Sequence, residues 1–521
     1  MNRAFILIFL SLSLLSCDFK VKKDPESLVF PLHSEPGSLN PIISASDGEA
    51  SKIYGGFIYE SLIELDNETL EPVPSLAKSW DVSDDHLVYT FYLRDDVRWS
   101  DGVPFTADDV IYAFEKIRDP KVFAPHLRVY YMDIDRVEKI NDHTVRYYWS
   151  RPYFKALQIS GGISPVPKHV FDDGNDFNTH HANRAPVGTG PFVLMEWKTG
   201  RKIVLKRNDD YWKGRPGIKE VIFRTVGDET ATLQEAKKGN FDVVSVRPIQ
   251  WARQLDKASV KERFIKREFL SPNYTWIGWN ERRPYFKDKK VRQALTMMVN
   301  REKIIDKILF GLAKETTGPF YINGPDYDKS VKPLPFDPES AKRYLSEAGW
   351  ADTDGDGILD KDGVAFKFTY LIPAGARIYD LFGNMMREDL GKAGIVVDIK
   401  RLEWASFIRD LNARDFDAVS LVWSLGVDQD PYQIWHSSQT EEGSNFIGYN
   451  DPRVDELIEK GRVEFDKEKR REMYKEIHRI IYDDQPYTFL FSGMSLLLRN
   501  NRFINVVDYP LGWDYREWKV K

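Results

Sequence analysis

The chain has 521 residues, 42 % hydrophobic and 30 % charged, a globular balance too long for one compact core, so two or three lobes are expected. A net charge of −6 argues against a nucleic-acid partner, which needs a basic face. Aromatic residues make up 13 %, and that favours large contact surfaces that are part apolar and part polar.

Residues 1–17 read MNRAFILIFLSLSLLSC, with a positive end at Arg3 and an apolar run from Ala4 to Leu15. This is the pattern of a secretory signal, and Leu14-Leu15-Ser16-Cys17 looks like a bacterial lipobox. The expectation is cleavage before Cys17, a lipid on Cys17, and a mature chain held in the cell envelope. Lipidation of the single cysteine leaves none for a disulfide, so stability rests on packing. Residues 18–27, DFKVKKDPES, are polar and charged, as a tether should be. No later apolar run is long enough to predict a spanning helix.

Folded sequence begins near Leu28, where LVFPLHSEP predicts a strand running into a turn at Glu35-Pro36-Gly37. Ser51 to Leu65 carries helical spacing, although Gly55-Gly56 weakens a helix and implies close packing. Alternation from Leu87 to Leu93 predicts a strand between the acidic turns Asp84-Asp85 and Asp95-Asp96. Val97-Arg98-Trp99 predicts a second short strand before the turn Ser100-Asp101-Gly102. Thr106 then caps a helix with Asp108 and Asp109 in its first turn, where the macrodipole favours negative charge. Gly188-Thr189-Gly190-Pro191 predicts a tight turn into a strand over 192–196, with another strand over 201–206. Tyr274 to Asn280 is an alternating aromatic strand, suited to core or to a cleft wall. Val291 to Ile308 predicts one long amphipathic helix. Strands and helices alternate from Ala365 to Ala418, which favours an α/β lobe, and 453–481 reads as charged helix.

The stretch from Asp415 to Tyr449 predicts a strand over 416–423 that opens into an irregular segment with Asp428 and Asp430 beside Trp423, Tyr432 and Trp435. Aromatic rings beside an acid suit a ligand with an apolar body and a positive head; equally, Asp430-Pro431 suits a plain helix start. The segment 352–363, DTDGDGILDKDG, puts Asp352, Asp354, Asp356 and Asp360 at EF-hand positions one, three, five and nine, with Gly357 at six. Position twelve is Gly363 instead of the bidentate Glu, so the loop reads either as a weak Ca²⁺ site or as an Asp/Gly hairpin. No His-Glu-x-x-His helix and no Gly-x-Ser-x-Gly elbow occurs, so the chain reads as a binding protein and not as an enzyme.

Several blocks together carry a resemblance: Glu35-Pro36 with Leu39-Asn40-Pro41, Ala77 with Trp80, and Tyr92-Leu93-Arg94. Trp99-Ser100-Asp101-Gly102, Phe105 to Val110, Gly188 to Phe192, Arg207-Asn208 with Tyr211-Trp212, Asn280, Val291 to Leu295 and Phe446 to Tyr449 continue it in order. The chain resembles the family 5 extracellular solute-binding proteins, the peptide- and nickel-binding partners of ABC importers. The resemblance implies an α/β, periplasmic-binding-protein-like two-lobed fold of type II, in its large three-domain variant. Lobe I would comprise 28–66, 188–270 and 486–521, an inserted lobe II 67–187, and lobe III 271–485. A monomer would capture a peptide by hinge closure and dock on the transmembrane subunits of an ABC permease. Oligosaccharide, a nickel complex, or a permease-independent surface role are the alternatives.

In dipeptide- and oligopeptide-binding members of this family, an Asp shortly after a Trp at this strand end takes the ligand ammonium. The Trp matches Trp423, but the Asp position falls on Gly426 or Val427, which leaves Asp428 as the candidate. Arg377 resembles an Arg that follows a strand in dipeptide binders and is the candidate for the ligand carboxylate; the alternative is a surface Arg paired with Asp380. Tyr274, Asn445 and Phe446 complete the ligand-binding candidates.

Overall fold

The computed structural model describes residues 24–521 except Val427 and Leu511. The signal segment, Cys17 and residues 18–23 of the tether lie outside the described residues.

Three larger sheets organise the molecule. The first runs in the order Ser27–Leu32, Glu220–Thr225, Lys202–Arg207, Phe192–Lys198. Alternation decides its faces: Leu28 and Leu32 enter one apolar cluster with Ile53 and Phe57, while Val29 enters another with Leu233 and Phe241. Between its first strand and its return at Phe192 the chain builds a separate antiparallel sheet, Ala77–Val82, Val88–Leu93, Thr144–Trp149, Ile134–Asn141. Helix Ala107–Arg118 packs on this insertion, entered through a capping box in which Thr106 N–H donates to Asp109 at 2.9 Å.

The third sheet carries Val243–Ser245, Tyr487–Asn500, Asn273–Trp279, Ala418–Ser424, Lys367–Pro373 and Val396–Leu402 in that order. Strand Tyr487–Asn500 is long enough to serve both halves of the molecule. Its first half pairs with Asn273–Trp279 and its second with Phe264–Leu270. The chain thus crosses twice, at Ser271-Pro272 and near Gly493, where Ser271 N–H donates to the Gly493 carbonyl at 3.0 Å. Register sets direction. Trp423 pairs with Tyr274 and Ala418 with Trp279, so the carboxyl end of Ala418–Ser424 lies at the crossing. Lys367–Pro373 and Val396–Leu402 run parallel to it. On the other side Ser245 pairs with Leu497 and Val243 with Arg499, so that strand also ends toward the crossing. Open α/β sheets bind ligands outside such strand ends.

Several elements differ from the sequence expectation. The helix expected over 51–65 is Gly48–Tyr54 only; Gly56 adopts φ +78°, and Ile63–Leu65 is a strand. Val97-Arg98-Trp99 forms no strand, only a bridge from Arg98 to Pro104. The Gly188–Gly190 motif answers a close approach more than a turn: a Cβ on Gly188 would sit 1.9 Å from the Ile58 carbonyl oxygen. The long helix over 291–308 breaks after Met297, because the Asn300 side chain caps a new turn at Lys303. The charged stretch 453–481 divides into Pro452–Arg462 and Lys467–Asp484.

Candidate functional site

Strand Asn273–Trp279 turns Tyr274 and Trp276 to one face, and the neighbouring strand places Trp423 beside them. The rings form a continuous stack. Tyr487 lies 4.0 Å from Trp276, Trp276 5.9 Å from Trp423, and Trp423 6.0 Å from Phe446, each pair within 15° of parallel. The Arg414 guanidinium closes the row 5.2 Å from the Phe446 ring. Trp423 is part-exposed at the end of its strand and is the ring of this row that reaches toward the crossing. Tyr274 is fully buried against Phe489, so it supports the wall from behind and does not line a cleft.

Asn445 is likewise fully buried, and its amide is spent locally. It donates to the carbonyls of His436 (3.2 Å) and Tyr449 (2.8 Å) and accepts from Tyr449 N–H (3.0 Å). Its role is to fold the loop that presents Phe446. Arg377 is the first residue of helix Arg377–Gly391, exposed, on the connection after Lys367–Pro373. That places it at the same sheet edge as Trp423 and Asp428. The anticipated Arg377–Asp380 pair is absent among the described residues; Asp380 instead takes Arg401 at 2.6 Å.

The two acids after Trp423 meet the insertion. Asp430 accepts from the Tyr153 hydroxyl at 2.7 Å and from Arg462 at 3.0 Å, and also caps the turn at Tyr432 N–H. The Asp428 carboxylate lies 3.3 Å from Arg470, and its carbonyl accepts from Lys155 Nζ at 2.8 Å. Phe154 N–H donates to the Arg462 carbonyl at 2.9 Å, and the Arg470 guanidinium rests 4.1 Å over the Phe154 ring. Burial lowers the Lys155 pKa, against the pull of Asp428 and Asp430. Burial, with Asp428 nearby, pushes the Asp326 carboxyl up to about 6.

Across the crossing, a cavity of about 620 Å³ opens beside the first sheet. Phe30 and Phe223, stacked at 5.3 Å, floor it, and Tyr515 stands edge-on to Phe30 at 5.0 Å. Arg516 reaches both Asp514 (2.8 Å) and Glu64 (3.0 Å). Glu60 accepts from the Tyr211 hydroxyl (2.6 Å) and Trp212 Nε1 (2.8 Å), and burial raises its pKa. Tyr59 is 3 % exposed, and its hydroxyl has no hydrogen-bond partner among the described residues. Sequence reading missed this cavity, Tyr153 and Lys155 alike, because none of them stands in a motif.

In the Asp-rich loop, carboxylate oxygens of Asp352, Asp354 and Asp356 converge within 4.8 Å of one another on the surface. Asp360 faces elsewhere: it accepts from Thr353 N–H (2.9 Å) and hydroxyl (2.6 Å), which lower its pKa. Gly363 turns the hairpin that follows, at φ +76°.

A family model described as bacterial extracellular solute-binding proteins, family 5 middle, matches residues 71–445. The chain belongs to this family. Among family 5 relatives, the oligopeptide-binding protein AppA of Bacillus subtilis is 33 % identical over 475 residues, covering 88 % of this chain and 84 % of that one. The structure of AppA from Bacillus subtilis in complex with a nonapeptide matches with a TM-score of 0.82 at 30 % identity, over 95 % of this chain and 99 % of that one. The dipeptide-binding protein of Escherichia coli is 27 % identical over 508 residues, 92 % of each chain. NikZ of Campylobacter jejuni, in complex with Ni(L-His), matches with a TM-score of 0.81 at 26 % identity, over 95 % of this chain and 100 % of that one. This family 5 protein therefore has the two-lobed α/β fold of the periplasmic solute-binding proteins. No described helix is long and apolar enough to cross a membrane.

Proposed function

We propose that this protein is the peptide-capturing component of an ABC importer, anchored by a lipid on Cys17 and working as a monomer. Lobe I (28–66, 188–270, 486–521) and the inserted lobe II (67–187) form one jaw, and lobe III (271–485) the other. The crossings at Ser271-Pro272 and Gly493 act as the hinge. A peptide lies in the crevice between the strand ends, against Trp423, which Phe446 backs, and the closed form docks on the permease. The observation that carries this reading is the similarity over nearly the whole chain to an oligopeptide-binding protein solved with a nonapeptide. The stacked aromatic wall beside the crossing supports it, since rings bury ligand area at low entropic cost.

Mass spectrometry of what co-purifies with the protein lacking residues 1–17 is the direct test. Peptides are expected. A chelated metal or a sugar would overturn the reading. Trp423→Ala should weaken peptide binding at least tenfold while leaving the fold intact by circular dichroism.

A further inference from the structure

The apolar core of the molecule is divided, and the insertion lies on one side of the division. Phe91, Trp99 and Tyr147 of the insertion share a cluster with Leu28, Leu32 and Phe223 of the first sheet. A shared core of this kind holds insertion and first sheet together as one body. The clusters built on Asn273–Trp279 and Ala418–Ser424 draw on residues from Tyr274 to Phe491 and, among the described residues, take none from the insertion. They form the core of a second body.

The insertion nevertheless touches that second body, through polar groups and rings, along the junction between helices Pro452–Arg462 and Lys467–Asp484. Glu71 takes Lys467 at 2.5 Å, and the His86 ring stacks on Phe465 with centroids 3.6 Å apart. After strand Thr144–Trp149, the Tyr153 hydroxyl donates to Asp430 at 2.7 Å, Phe154 N–H to the Arg462 carbonyl at 2.9 Å, and Lys155 Nζ to the Asp428 carbonyl at 2.8 Å. The Arg462 and Arg470 guanidiniums lie 4.7 Å and 4.1 Å over the Tyr153 and Phe154 rings. Parting such a seam hands its polar groups back to water at modest net cost, whereas parting a shared apolar core does not. Asp428 and Asp430, which receive the insertion, stand on the loop that follows Trp423 at the crevice. Any rotation of one body against the other at the crossings must part this seam, because Tyr153 and Asp430 belong to different bodies.

We propose that the seam is the clasp of the closed form: Tyr153 and Phe154 hold the jaws together around a captured peptide without touching it, and so set how long the peptide is kept. The inference rests on the peptide reading above. Both are positioning residues. Their contacts are remade at each closure, and apparent affinity scales with the fraction of protein that is closed. The alternative is a fixed buttress, a seam that stays made while peptide comes and goes.

The test uses the protein lacking residues 1–17 and a fluorescein-labelled, mixed-sequence nonapeptide pool, whose release is followed by anisotropy after a chase of unlabelled pool. Tyr153→Phe/Phe154→Ala loses one charge-assisted hydrogen bond and one cation–π contact, so it should release the pool about fivefold faster or more, with association within about twofold of wild type. The conservative Phe154→Tyr, which keeps a ring under Arg470, should rescue release to within about twofold of wild type. Glu71→Cys/Lys467→Cys places two thiols across the seam in a chain that then has no other cysteine. Joined by a short bismaleimide after loading, it should hold the pool roughly tenfold longer or more than the same protein unjoined. Equal release from the joined and unjoined proteins means that peptide exchanges without the seam opening; that overturns the inference and leaves the peptide reading standing. A Tyr153→Phe/Phe154→Ala protein that folds, by its circular dichroism, and releases as wild type also overturns it. No binding of the pool to the wild-type protein overturns the peptide reading and the inference together. The joined protein decides the matter even if Tyr153→Phe/Phe154→Ala fails to fold.

Discussion

Acidification should strip stability from this protein through one buried imidazole. His478 is fully buried on helix Lys467–Asp484. Its Nδ1 accepts from Asp328 N–H at 3.0 Å, which leaves Nε2 to donate to the Thr317 hydroxyl at 3.0 Å. Both nitrogens are therefore committed in the neutral ring, and protonating Nδ1 would break the bond from Asp328. Burial is the main cause that holds the pKa down to about 4, from 6.5. Between those values the unfolded chain binds the proton and the native protein does not, so stability falls as pH falls. Integrating over that window, a drop from pH 7 to pH 5 removes about 2 kcal/mol. A buried carboxyl works in the opposite sense. Burial raises Glu281 from 4.5 to about 7, so its native form gains protons first and acidification over the same range returns about 2 kcal/mol. The wild-type profile is thus flattened by cancellation, and the difference between proteins is the informative quantity. Urea unfolding of wild type and His478→Gln at pH 7, 6 and 5 should show wild type losing about 2 kcal/mol more than the variant between pH 7 and pH 5. Equal losses in the two proteins would refute the reasoning.

Glu281→Gln should show the mirror image. Its stability relative to wild type should be about 2 kcal/mol better at pH 8 than at pH 5, because only at high pH does wild type hold a buried carboxylate 3.5 Å from Arg292; a constant difference across pH would count against it. Gly318→Ala places a Cβ 2.2 Å from the His478 ring, and calorimetry should show a loss of about 1–3 kcal/mol. Asn445→Ala removes three local hydrogen bonds and should cost about 2 kcal/mol in urea unfolding. The three converging carboxylates of Asp352, Asp354 and Asp356 should bind Ca²⁺ only at about 10⁻⁴–10⁻³ M. Titration calorimetry showing no heat in that range, or heat unchanged in Asp354→Asn, would remove that site.

Local chemistry made much of the fold readable. The alternation in Val88–Leu93 and Asn273–Trp279 and the Thr106 cap all act within a few residues, and each appears where the sequence puts it. The errors came where a distant contact overrode a local pattern. The apolar spacing of 51–65 is helical, yet the Ile58 and Phe57 carbonyls pack against Gly188 and Gly190, some 130 residues on, and the helix stops at Tyr54. Spacing over 291–308 is amphipathic throughout, yet a polar side chain at Asn300 breaks it. Of the ligand candidates, Trp423 stands part-exposed at its strand end, while Phe446 is buried in its loop at 8 % exposure. Tyr274 and Asn445 have the right residue types, but they are buried by neighbours on other strands and loops.

By itself the sequence determined the family, the α/β alternation and the position of the aromatic wall, because motif spacing and side-chain periodicity are properties of short stretches. Only the tertiary structure decided the electrostatic state of the loop behind that wall. Asp430 and Tyr153 are 277 residues apart, and Asp428 and Lys155 are 273 apart. No local pattern connects them. An acid in a sequence is a potential anchor for a cation, and the fold has already supplied those cations from two helices: Arg470 lies 3.3 Å from Asp428 and Arg462 3.0 Å from Asp430, while Lys155 meets the Asp428 backbone carbonyl.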